Sequence, residues 1–225
     1  MNIGQKLIYG TFVSLLFTAF LCSQSLPVVA ADLDGIAPSA ADVDPVKTGE
    51  MAPKFTVRTV DDEPYVFDPK NLDAPTIIVT FRGGWCPYCN LHLSELKDVV
   101  PELKGKGVDV LFLSGDRPEI LYNSLKQETQ EDIDGMGYTI LSDADIDAAK
   151  ALRIAFRQEQ ATIDRYENNG MDIAGSSMKN FGVLPVPAVY VIDSNGMVTF
   201  SFVEADYKVR LPAADLLAAA SEVAD

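Results

Sequence analysis

Apolar and polar positions along this chain change period several times, and each change marks an element. Residues 54–59 and 65–67 alternate at a period of two around Asp61-Asp62-Glu63, which predicts an opening β-hairpin. Thr76–Phe81 is a nearly continuous apolar and β-branched run, the composition of a strand buried on both faces. Leu91, Leu93, Leu96, Val99, Val100 and Leu103 then recur at largely helical spacing until Gly105 and Gly107 stop the pattern. Strands are predicted at 108–113 and 138–141. Helices are predicted at 118–128, with Pro118 in the first turn, and at 143–154, capped by Ser142 or Asp143. Residues 155–184 break the rhythm with Asn168-Asn169-Gly170 and Gly175-Ser176-Ser177, and read either as an insertion covering a site or as a mobile surface loop. Strands at 188–193 and 197–203, joined by Ser194-Asn195-Gly196, and a helix at 212–223 complete the pattern. Alternation of this kind predicts an α/β domain built of βαβ units, with parallel strands in a central sheet.

The first thirty residues stand apart. Lys6, the apolar stretch 7–21 and the small-residue run Val28-Val29-Ala30-Ala31 have the layout of a secretory signal peptide. An uncleaved anchor needs roughly 20 apolar residues, more than this stretch offers. Membrane contact is therefore expected only through this segment, if it is retained. Cys22 follows Leu21 rather than the small residue that a lipid-attachment site prefers. The expected organisation is a signal peptide at 1–30, a flexible leader at 31–48 and one domain at 49–225, located outside the cytoplasm. A net charge of −15 disfavours a nucleic-acid partner.

Candidate chemistry lies where the buried strand hands over to the first helix. Cys86 and Cys89 are separated only by Pro87 and Tyr88. Two thiols at that spacing can make and break one disulfide. The helix N-terminus favours a negative sulfur at Cys86, Pro87 forfeits no hydrogen bond in the first turn, and Cys89 is placed to attack the oxidised Cys86 sulfur. A structural zinc site would need four ligands, and the chain has one histidine, His92, on the same helix. We therefore expect no metal and no cofactor. His92 reads as a helix-surface or packing residue. A thiol metal carrier, with two soft sulfurs for Cu(I), is the non-enzymatic alternative.

The segment Phe81-Arg82-Gly83-Gly84-Trp85-Cys86-Pro87-Tyr88-Cys89-Asn90, with Leu141-Ser142-Asp143, Leu184-Pro185-Val186-Pro187-Ala188 and Asp206-Tyr207-Lys208-Val209-Arg210, resembles the peroxiredoxin-like branch of the alkyl hydroperoxide reductase/thiol-specific antioxidant family, within the thioredoxin superfamily. The resemblance implies a thioredoxin-like fold, a central mixed sheet flanked by helices, with the N-terminal hairpin as an extension. It implies thiol-dependent reduction of hydroperoxides through Cys86 and Cys89, with an external thiol reductant, or else exchange with a protein disulfide. Pro187 matches the proline held in cis beside the dithiol, where Val186 would offer its backbone to an extended thiol substrate. Arg82 and Arg210 are candidates for the cation that stabilises the Cys86 thiolate, or else form surface ion pairs. Trp85 is expected to shield the disulfide or to pack in the core. One departure stands out. Peroxiredoxins proper hold a threonine or serine hydroxyl three residues before the reactive cysteine, and this chain has Gly83 there, with Thr80 six residues upstream.

Overall fold

A computed structural model describes residues 33–224; the expected signal segment 1–30, with Cys22, lies outside them. The predicted hairpin forms as β1 (Phe55–Arg58) and β2 (Pro64–Phe67), and the buried run forms β3 (Thr76–Phe81). The strands β4 (Asp109–Ser114), β5 (Thr139–Ser142), β8 (Ala188–Ile192) and β9 (Val198–Val203) join them in one seven-stranded sheet, ordered β2-β1-β5-β4-β3-β8-β9. Its centre is parallel, β5 with β4 and β4 with β3, and its flanks are antiparallel. The sheet is mixed, as expected, with the hairpin forming one edge.

Strand alternation feeds two cores. Ile77, Val79 and Phe81 pack on the face covered by α1 (Pro87–Glu95), α2 (Val99–Gly105), α3 (Gln127–Ile133) and α7 (Ala213–Ser221). Ile78 and Tyr190 face the other side, with α4 (Asp147–Ala151) and Val46. All six residues of β3 are buried, which is why its sequence shows no period of two.

Several expected elements differ. The helix expected at 118–128 is a 3₁₀ turn, Pro118–Ile120, followed by α3. The Asn90 side-chain oxygen accepts the Lys126 N–H at 2.8 Å where the backbone is extended, so the chain breaks and restarts there. The helix expected at 143–154 shortens to α4, because both carboxylate oxygens of Asp143 accept N–H groups of Ala148 and Ala149 at 2.8 Å across a left-handed Ile146. The leader is not loose along 33–48. Ala37 pairs with Phe156, the Val46 N–H donates to Leu152 O at 3.1 Å, and Val46 is buried. Finally, 155–184 is built of β6 (Ala155–Arg157), α5 (Gln160–Asn168), α6 (Ser177–Phe181) and most of β7 (Val183–Pro185), with β6 and β7 paired antiparallel. Ile163, Ile173, Met178 and Leu184 form a third small core there, against which Trp85 and Tyr166 pack. The segment is thus folded, with regular elements and a core of its own.

Candidate active site

Strand β3 ends in the middle of the sheet, between the last residue of β4 (Ser114 opposite Phe81) and the first of β8 (Ala188 opposite Thr80). Carboxyl ends of adjoining parallel strands are a common place for a site, since loops there can converge. The turn from 82 to 86 is packed too tightly for side chains at its two glycines. A Cβ at Gly83, whose φ is +155°, would lie 2.3 Å from Trp85 Nε1 and 2.7 Å from Asp116 Oδ1; at Gly84 it would meet the Ser124 backbone at 2.4 Å. The absent hydroxyl at position 83 therefore has no room in this turn.

Cys86 forms the N-cap of α1 with Pro87 at its first turn, and Cys89 and Asn90 donate their N–H groups to the Cys86 carbonyl at 3.1 Å each. Asn90 tightens the turn, donating from Nδ2 to Gly84 O at 2.6 Å and to Cys86 O at 3.0 Å. The two cysteines are not joined in a disulfide, and both are buried. The Cys89 thiol hydrogen-bonds the Cys86 sulfur and lowers its pKa to about 6; burial opposes this shift, while the charges of Arg82 and Arg210 reinforce it. Burial pushes Cys89 well up, and the neighbouring Cys86 sulfur pushes it further. The two shifts run in opposite directions, which makes Cys86 the more acidic sulfur of the pair.

Arg82 is buried, and its guanidinium lies 4.5 Å from the Tyr207 ring, 5.1 Å from the Trp85 ring and 6.0 Å from the Tyr166 ring, with Nη2 donating to Tyr166 Oη at 3.3 Å. Arg210 donates from Nη2 to Cys89 Sγ at 3.4 Å. Among the described residues neither arginine has a carboxylate within salt-bridge range, so the surface ion-pair alternative does not hold. Trp85 is partly exposed, meets Tyr166 at a tilt of 46° with ring centroids 5.0 Å apart, and packs on both the helix-side core and the insertion core.

The opposite wall is closed. Val186 is fully buried; its N–H donates to Ile154 O at 2.9 Å, and its carbonyl accepts Thr80 Oγ1 at 3.1 Å. Val186 thus has its N–H engaged and its carbonyl already accepting one bond, in a fully buried position. The expected cis bond at Pro187 is corrected: no peptide bond among the described residues is cis. Thr80 is committed as well, because Oγ1 accepts the Ala188 N–H at 2.9 Å, so it cannot stand in for the missing hydroxyl. His92 is not a surface residue. It is buried beside Thr80, Pro187 and Arg210, its Nε2 has no partner, and burial with the Arg210 charge lowers its pKa to about 4.

Sequence reasoning missed Asp116 and Tyr166. Asp116 is fully buried; Oδ2 accepts the Gly84 N–H at 2.7 Å and Ser124 Oγ at 3.0 Å, Oδ1 has no partner, and burial raises its pKa. An acid two residues beyond a buried parallel strand was a legible signal for it. Nothing local marks Tyr166, which reaches Arg82 only through the folding of the insertion.

A buried dithiol at the mouth of a helix that follows an inner strand of a mixed sheet defines a thioredoxin-fold thiol protein. The AhpC/TSA family model matches residues 48–201, and the chain belongs to that family. Peroxiredoxin Bcp of Escherichia coli (strain K12) is 33% identical over 104 residues, which cover 46% of this chain and 62% of Bcp, so less than two thirds of that relative's length is spanned. Thiol-disulfide oxidoreductase ResA of Bacillus anthracis is 23% identical over 171 residues, 76% of this chain and 78% of ResA. Two solved structures share the fold. Peroxidoxin BcpB from Mycobacterium tuberculosis aligns with a TM-score of 0.54 at 17% identity, covering 79% of this chain and 96% of that one. Reduced Prx3 from Vibrio vulnificus in complex with hydrogen peroxide aligns at 0.56 and 21% identity, covering 77% and 98%.

Proposed function

We propose that this protein is a thiol-dependent peroxidase acting on small hydroperoxides. The observation that carries this reading is the asymmetry of the dithiol: a Cys86 thiolate with a pKa of about 6 beside a Cys89 held as thiol, under two arginines. The Cys86 sulfur attacks the outer peroxide oxygen. The O–O bond breaks, the inner oxygen leaves as an alkoxide or hydroxide that takes up a proton, and Cys86 is left as a sulfenic acid. Arg82 and Arg210 offset the charge developing on the leaving oxygen. Cys89, already in contact, attacks the sulfenic sulfur; the S–O bond breaks, water departs, and the disulfide closes within one helical turn. An external dithiol then takes that disulfide's place as the oxidised species and restores both thiols.

Exchange with a protein disulfide is the second reading, favoured by the glycine at 83 and by the similarity to ResA. It is the weaker one, because a protein partner would have to lay its chain against Val186, whose N–H and carbonyl are both bonded internally. In either case the expected export signal assigns the reaction to a compartment outside the cytoplasm.

Rapid mixing of reduced protein with hydrogen peroxide tests the proposal, with a Cys86→Ser control. One disulfide formed per peroxide consumed, far faster than for an ordinary free thiol, supports it; reaction at the free-thiol rate refutes it.

A further inference from the structure

Beside Arg82, on the insertion side, lies a cleft of about 210 Å³ lined by Arg82, Arg165, Tyr166, Tyr207, Pro185 and Pro187 among others. Its lining contains two arginines and no carboxylate, in a chain of net charge −15. Arg82 is only 4% exposed, and its Nε has no hydrogen-bond partner. Arg165 is exposed, and among the described residues its one charge contact is with the Tyr166 ring, at 5.6 Å. A buried guanidinium is costly unless an anion meets it, and its planar donors match a carboxylate in bidentate geometry. Here no carboxylate among the described residues does so, although acids are in excess; the one anionic group coupled to Arg82 is the Cys86 sulfur, and Arg165 has none. The remaining walls are mostly aromatic rings, prolines and alanines, with Gln158 and Thr162 as the neutral polar groups, and the volume lies below the range of drug-sized sites.

We infer that this cleft binds the carboxylate of a small organic acid, with its apolar body against Tyr166, Tyr207 and Pro187, so that the dithiol acts on carboxylate-bearing partners. The inference deepens the peroxidase reading and rests on it only for the identity of the partner: a carboxylated hydroperoxide on the oxidising half-reaction, or a carboxylated thiol on the reducing one. Binding itself requires neither.

Trp85 is the only tryptophan in the chain, and it touches both Arg82 and Tyr166, so its fluorescence reports the cleft. Reduced protein is titrated with phenylacetate and with its neutral isostere phenylacetamide. The inference predicts saturable binding of the acid, at least about tenfold weaker binding of the amide, and weakening of the acid with salt. Arg165→Gln should bring acid and amide close to parity, and Arg165→Lys should keep part of the preference. Equal binding of the two probes, or no saturable response to either, overturns the inference. The partner's identity follows from two rate ratios: 3-hydroperoxy-3-methylbutanoate against tert-butyl hydroperoxide, and 3-mercaptopropionate against 2-mercaptoethanol on the oxidised protein. A preference for the acid in one arm that falls with Arg165→Gln supports the inference and names the partner. Turnover with no preference in either arm refutes the cleft while leaving the peroxidase reading standing; acid binding without peroxide turnover does the reverse.

Discussion

The two walls of the dithiol site differ in what they have left to offer. On the β8 side, Val186, Thr80 and Ala188 have their polar groups engaged with one another or with Ile154, and His92 is buried as a neutral ring. On the insertion side, Arg82 stands among Trp85, Tyr166 and Tyr207 with no carboxylate partner and an open cleft before it. A wall whose backbone groups are hydrogen-bonded gains little from a ligand, whereas a buried cation met only by the Cys86 sulfur gains from a further anion that reaches it. The difference points to small, negatively polarised substrates entering beside the insertion, and away from an extended protein segment laid along Val186.

The comparison can be broken first at the sulfurs. Cys86→Ser should abolish peroxide consumption altogether. Cys89→Ser should allow one turnover and leave a sulfenic acid on Cys86 that a 1,3-diketone traps, as intact-mass measurement would show. Loss of reaction in Cys89→Ser but not in Cys86→Ser would reverse the assigned roles.

The closed wall is tested through His92. Its folded pKa of about 4 lies below the ordinary 6.5, so the folded state prefers the neutral ring. The unfolded chain alone takes up the proton between those values, so this contribution to stability is complete above pH 6.5 and is lost as pH falls toward 4. The difference between wild type and His92→Leu in denaturant unfolding should change by about 3 kcal/mol across that window. A flat difference would show that the ring is not held neutral.

Gly83→Thr restores the hydroxyl that peroxiredoxins proper carry, yet its Cβ would collide with Trp85 and Asp116. It should cost about 1–3 kcal/mol, lower Tm by several degrees, and fail to speed the peroxide reaction. A faster and equally stable variant would mean that the turn is less rigidly filled than its contacts indicate. The smallest effect expected is electrostatic. Arg82→Gln removes one of the charges that lower the Cys86 pKa, and should move the midpoint of the rate-against-pH curve upward from about 6 by about one unit.

Much of the sheet was legible because its inner strands β3, β4 and β8 are buried nearly throughout, and Thr76–Phe81 appears in the structure with the bounds its composition suggests. The helices were less so. At 118–128 and 143–154 the pattern was read as continuous helix, while the side chain of Asn90, from a distant helix, and that of Asp143, reaching across Ile146, break and restart the chain. The same limit applies at the site. Cys86 and Cys89 declare themselves by spacing within one helical turn. Asp116, Tyr166 and the cleft arise from contacts between distant segments, and no local period encodes such contacts. Val186 shows the converse: its motif suggested an exposed backbone, and pairing with Ile154 and Thr80 removed it.

The central claim is that the open, cationic wall and not the closed one meets the substrate. One competition measures it: reduced protein is mixed with equal concentrations of tert-butyl hydroperoxide and a disulfide-scrambled protein, and the second-order rate of dithiol oxidation by each is resolved through Trp85 fluorescence and product mass. The account predicts that the hydroperoxide oxidises Cys86 at least about tenfold faster, a difference of about 1.4 kcal/mol in the barrier. Faster oxidation by the protein disulfide, with a mixed disulfide on Cys86, would contradict it.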